Sequence, residues 1–98
     1  MLHKLEEGKD MKYRSHIEIM RHILEIANGG GVTKTKIMYK ALLSYAQMKE
    51  YLVVLTDKDL LHYDEDTRTF KTTEKGLIYL DTCSQIGDMM NELRQRQQ

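Results

Sequence analysis

Residues 29–55 read GGGVTKTKIMYKALLSYAQMKEYLVVL, and their punctuation decides the architecture. Gly29, Gly30 and Gly31 end the element before them, because glycine tolerates positive φ. Thr33 then stands as a helix N-cap, and Ile37, Met38, Ala41 and Leu42 form the buried side of a short helix. Leu43 leads directly into Ser44, and Ser44 with Gln47 makes a capping box that starts another helix. Two short helices joined by so tight a turn form a helix-turn-helix pattern. On the wheel of the following helix, Met48, Leu52 and Leu55 point inward, flanked by Tyr45 and Tyr51. Ala46, Gln47, Lys49, Glu50 and Val53 point outward.

Upstream, Ser15 and Glu18 form a second capping box. Ile17, Met20, Ile23, Leu24 and Ala27 follow at helical spacing and predict one apolar face. Downstream, the helix that starts at Ser44 ends near Lys58 and Asp59. Segments 61–63 and 69–71 carry β-forming residues around the polar turn 64–67, which predicts a hairpin. Thr72 or Thr73 caps a last helix from about Glu74, weakened locally by Gly76 and Gly87. Tyr79, Cys83, Ile86, Met90 and Leu93 alternate steps of four and three, a heptad-like seam. Such a seam is too long and too apolar to pack wholly on so small a core. It is a candidate dimer interface, with Cys83 expected as a buried thiol within it.

The 98 residues suffice for one small domain, and 41% apolar with 31% charged residues is a globular composition. The expected organisation is a polar tail over 1–12, a compact domain over 13–73 and a C-terminal helix over 74–98. No apolar run approaches the roughly 20 residues that span a membrane. Residues 1–12 also lack the apolar stretch of a signal peptide. A single cysteine excludes an internal disulfide, so the expected setting is cytoplasmic. The net charge is zero, but its distribution is uneven. Between Asn28 and Lys49 the only charged residues are Lys34, Lys36, Lys40 and Lys49. The acids gather at Glu6, Glu7 and Asp10 and again at Asp57, Asp59, Asp64, Glu65 and Asp66. A neutral chain with one acid-free basic stretch can still present a positive face.

The order helix, helix, helix, hairpin, long helix resembles a winged-helix domain with a C-terminal dimerisation helix. Residues 29–55, with LLHY at 60–63 and TFKTTEKGLIYL at 69–80, are similar to the archaeal family of small winged helix-turn-helix regulators. That family includes the ten-kilodalton chromatin-associated proteins that dimerise through a C-terminal coiled coil. The resemblance implies an α+β, mostly α, fold: three helices plus a β-hairpin wing, then a dimerisation helix. It implies a homodimer that binds double-stranded DNA as a transcription regulator or architectural protein, nucleoid-associated when bound. No cofactor, small-molecule ligand or enzymatic activity is expected. Asp59 departs from the helix-ending glycine common in the family, yet aspartate tolerates the left-handed conformation better than most residues. The C-terminal helix is also shorter than in the coiled-coil members, about 37 Å over 74–98.

On this reading the third helix enters the major groove. Ala46 can touch a thymine methyl, and Lys49 can reach guanine or phosphate. Ser44 and Tyr45 sit where hydroxyls meet the DNA backbone. Gln47 can pair with adenine, but it also occupies the capping-box position. Tyr45 serves either the core or DNA. Glu50 repels phosphate unless it accepts a bond from cytosine. Lys34 and Lys36 lie in a first helical turn, where the helix dipole disfavours positive charge. A phosphate beside them and Thr35 would relieve that conflict. In the wing, Arg68 and Lys71 suit phosphate or minor-groove contact, although Arg68 could instead neutralise the acids at the tip. A protein-interaction module without DNA binding is the second reading, favoured by zero net charge, Glu50 and the acidic wing.

Other signals fail on spacing. The segment 29–35 lacks the glycine before lysine and the preceding strand of a phosphate loop. Residues 64–67 lack the glycine and distal glutamate of a calcium loop. His3, His16, His22 and His62 have no metal-binding spacing.

Overall fold

A computed structural model describes residues 15–96, so the polar segment 1–12 and the final two glutamines lie outside the described residues. The elements run α1 (His16–Ile26), α2 (Lys34–Ala41), α3 (Tyr45–Asp57), β1 (Leu61–Asp64), β2 (Thr69–Thr72) and α4 (Glu74–Arg96). Both capping boxes form: the Ser15 and Ser44 hydroxyls accept from the N–H of Glu18 and Gln47, whose side chains bond back. Thr33 caps α2 by accepting from Lys36 N–H.

Two helix ends use the same device. Leu42, after α2, and Asp59, after α3, both adopt the left-handed conformation, with φ of 58° and 61°. In each case the next residue donates back over the turn, Leu43 N–H to Met38 O and Leu60 N–H to Leu55 O. That six-to-one bond satisfies a helix-end carbonyl and turns the chain, so that Leu43 and Leu60 enter the core. The geometry corrects the expectation for Leu42, which projects outward and is 81% exposed. Ile17 is likewise 60% exposed, and Ile19 takes the core position instead. Both differences arise at helix termini, where the wheel is no guide to which residues the tertiary fold covers.

The core joins Ile19, Ile23, Leu24 and Ala27 of the first helical segment to Ile37 and Ala41 of α2. Met48, Leu52 and Leu55 of α3 close it, as their spacing predicts. Leu61 starts β1 on the same core, and the strands pair antiparallel with Tyr63 opposite Phe70. The hairpin turn is built by Asp64, whose Oδ1 accepts from the N–H of Asp66 and Thr67, and by Arg68 at φ 56°.

Val32 forms an antiparallel bridge to Phe70, exchanging bonds of 2.9 and 2.7 Å. The hairpin is therefore fastened to the residue just before the α2 cap. Gly31 permits this approach: at φ +93° it has no side chain, and a Cβ would lie 2.9 Å from Thr69 Oγ1. At the other end of β2, buried Thr72 donates its N–H to Ala27 O and its hydroxyl to Leu24 O at 2.6 Å. Thr73, not Thr72, caps α4, accepting from Gly76 N–H.

Only the first turns of α4 meet the body of the domain. Tyr79 and Leu80 pack against the core, and burial together with neighbouring Cys83 raises the Tyr79 hydroxyl above its ordinary pKa of 10.0. Beyond Cys83 the helix runs free of the domain, with Ile86, Met89, Met90 and Leu93 exposed. No described helix is long and apolar enough to cross a membrane.

Candidate nucleic-acid interface

The first turns of α2 and α3 contain no acidic residue. Among the described residues, no ion pair engages Lys34, Lys36, Lys40, Lys49, Arg68 or Lys71. Arg68 in particular forms no salt bridge with Asp64, Glu65 or Asp66, so neutralisation of the wing tip does not occupy it.

Because Val32 is bonded to Phe70, the start of α2 faces the root of the hairpin. Thr33, Lys34, Thr35, Tyr63, Arg68 and Phe70 line one concavity of about 360 Å³ there. Two cations, two hydroxyls and an aromatic wall thus converge from three separate segments. The rings of Tyr63 and Phe70 pack at 4.7 Å between centroids, tilted by 43°. Neither ring, nor the Val32 bridge that places them, is marked by a local sequence motif. Their alternation along the two strands is the only sequence signal that points to them.

The remaining candidates divide. Lys36 does not line that concavity; by helical period it shares the outer face of α2 with exposed Tyr39 and Lys40. Lys71 lies opposite His62 in the ladder, so strand alternation turns it to the face away from Phe70. The lysine stretch therefore spreads over neighbouring surfaces instead of meeting at one point.

On α3, Ala46, Lys49, Glu50 and Val53 form an exposed stripe opposite the buried Met48, Leu52 and Leu55. Tyr45 is 55% exposed, with the Lys49 ammonium 5.6 Å from its ring centroid, which overturns a core role for it. Gln47 uses Oε1 to accept from Ser44 N–H at 3.0 Å. Its amide N–H₂ takes no part in that cap. The side chain lies to one flank, where His16, Gln47, Glu50, Tyr51 and Val54 border a second groove. His16 Nδ1 is hydrogen-bonded to the Tyr51 hydroxyl across it, tying the start of α1 to α3. No group of three or more His, Cys, Asp or Glu among the described residues could hold a metal ion.

Three helices, a hairpin fastened beside the second helix and an exposed third helix define a winged helix-turn-helix protein. The chain belongs to the winged helix-turn-helix family, whose model matches residues 13–91. Among solved structures it is similar to the crystal structure of Sso10a-2, a DNA-binding protein from Sulfolobus solfataricus. That likeness has a TM-score of 0.73 at 22% sequence identity and covers 86% of this chain and 90% of the other. Comparison with curated proteins gives no match.

Proposed function

We propose that this protein binds double-stranded DNA as a homodimer, with a binding rather than a catalytic role. The observation that carries the proposal is the acid-free start of both helix-turn-helix helices, together with the concavity that the α2 start shares with Arg68, which has no ion-pair partner among the described residues. In this arrangement α3 lies in the major groove and presents Ala46, Lys49 and the Gln47 amide to base edges. Ser44 and Tyr45 meet the backbone at the helix start, and Lys34, Thr35 and Arg68 grip phosphate from the side. Lys36 and Lys71, on adjoining faces, add to the positive field more than to any one phosphate site. The solved relative is itself a DNA-binding protein, which supports the same reading here. The uncovered length of α4 supports pairing through Ile86, Met90 and Leu93, next to Cys83 and Tyr79. A dimer sets two reading helices on half-sites about 34 Å apart, an arrangement suited to a transcription regulator or an architectural protein.

The test is a binding titration on the Lys34→Glu, Lys36→Glu double variant at several salt concentrations. Affinity falls for every duplex sequence, and the log–log salt slope shrinks by about 0.9 for each phosphate no longer neutralised. Undiminished binding by a folded double variant rejects the interface. One observation favours a different partner: Glu50, Val53 and Val54 with Lys49 form a largely apolar exposed patch on α3. A protein-interaction module would use that patch, and it would show salt-insensitive absence of DNA binding beside a stoichiometric protein partner.

A further inference from the structure

We infer that the concavity at the wing root is a binding site for one nucleoside phosphate unit. Holding a phosphate backbone requires only cations and donors, not an aromatic wall. Here Lys34 and Arg68 share a single concavity with the Tyr63–Phe70 ring pair and the hydroxyls of Thr33 and Thr35. Its volume of about 360 Å³ lies in the range that encloses small ligands. Both cations lack a protein counter-ion among the described residues, so an anion there displaces no ion pair. No acid lines the concavity, and the wing acid Asp64 has Oδ1 committed to the N–H groups of Asp66 and Thr67. Tyr63 is part-exposed on the wall, leaving ring surface on which a planar base can stack.

The recognised chemistry is therefore a phosphate held between Lys34 and Arg68 with a flat ring against Tyr63. Two sources supply that unit: a free mononucleotide, or an unstacked nucleotide of a nucleic-acid strand. Tyr63 has no part in the duplex binding proposed above, and the site does not require it. Where both hold, the shared cations make duplex and mononucleotide compete.

The experiment is an amide and aromatic NMR titration of the full chain with AMP, adenosine, inorganic phosphate and a single-stranded dT12. AMP shifts Thr35, Tyr63, Arg68 and Phe70, and binds at least tenfold more tightly than adenosine or phosphate alone. Tyr63→Ala and Arg68→Ala each weaken AMP at least fivefold, while Tyr63→Leu, which keeps wall bulk but no stacking face, behaves like Tyr63→Ala. If dT12 shifts the same residues and competes with AMP, the strand is a source; if only AMP does, the free nucleotide is. AMP binding no tighter than phosphate, or shifts confined to other surfaces, overturns the inference. A duplex titration beside it separates the two claims: duplex binding without AMP binding removes this site alone, and the reverse removes the duplex reading alone.

Discussion

Gly76 of α4 lies directly against the carbonyl of Leu60: a Cβ at Gly76 would stand 2.5 Å from Leu60 O and 2.6 Å from Thr72 Cγ2. This close approach sets the long helix onto the junction between α3 and the hairpin. It is reinforced by Thr73, whose N–H donates to Leu60 O and whose hydroxyl donates to Asp59 O. Lys75 adds a bond from Nζ to Lys58 O.

Gly76→Ala should therefore destabilise the protein. Alanine gains about 1 kcal/mol in helix propensity, but overpacking against backbone costs about 1–3 kcal/mol and prevails at 2.5 Å. Gly87→Ala in the same helix meets nothing within 4 Å and should gain up to about 1 kcal/mol. Thermal melts of the two variants should move in opposite directions. A stabilising Gly76→Ala would mean that the helix can shift away from Leu60.

Gln47 holds two roles that one substitution separates. Glu is the other residue that completes a capping box, so Gln47→Glu keeps the bond from Ser44 N–H and puts an acid where the helix dipole favours it. Stability should stay within about 0.5 kcal/mol. Affinity for duplex should drop about tenfold, because a carboxylate replaces amide donors next to phosphate and base edges. Anisotropy titrations read the affinity, and unchanged binding would restrict Gln47 to the cap.

The Tyr79 hydroxyl supplies a pH dependence with a definite sign. Its pKa is raised in the folded chain above 10.0, first by burial and then by Cys83, so folding favours the protonated form. That contribution is fully present below pH 10 and is lost as pH rises through the higher folded value. Melting temperature should fall above pH 10, and Tyr79→Phe should flatten that part of the fall. An identical alkaline profile for the two proteins would remove Tyr79 as the cause.

Assembly is tested on the free part of α4. Ile86→Lys with Met90→Lys places two charges on the exposed seam, far from the core cluster. Sedimentation should then report a monomer where the parent chain is a dimer, while circular dichroism keeps the domain's helical signal. Duplex affinity should fall at least tenfold, since one reading head replaces two. A parent chain that is already monomeric at micromolar concentration would overturn the homodimer, and a double variant that stays dimeric would place the interface elsewhere.

Local chemistry written in a few adjacent residues was legible from sequence. Ser15 with Glu18, Thr33, and Ser44 with Gln47 announce helix starts through bonds that close within one turn. The spacing of Met48, Leu52 and Leu55 names the buried side of α3, because helical period alone sorts inside from outside in mid-helix. Asp59 could be read as a left-handed corner from its residue type.

Only the tertiary structure decided what depends on distant segments meeting. The Val32–Phe70 bridge spans 38 positions and brings Lys34 and Arg68 to one concavity, and no local pattern encodes it. The left-handed turn at Leu42 expels a residue that apolarity alone would bury. Gly76 reads in sequence as a weak point of a helix, yet in space its lack of a side chain is what lets α4 lie against the Leu60 carbonyl. Propensity acts over a single turn, whereas packing is settled by whichever backbone arrives from elsewhere in the chain.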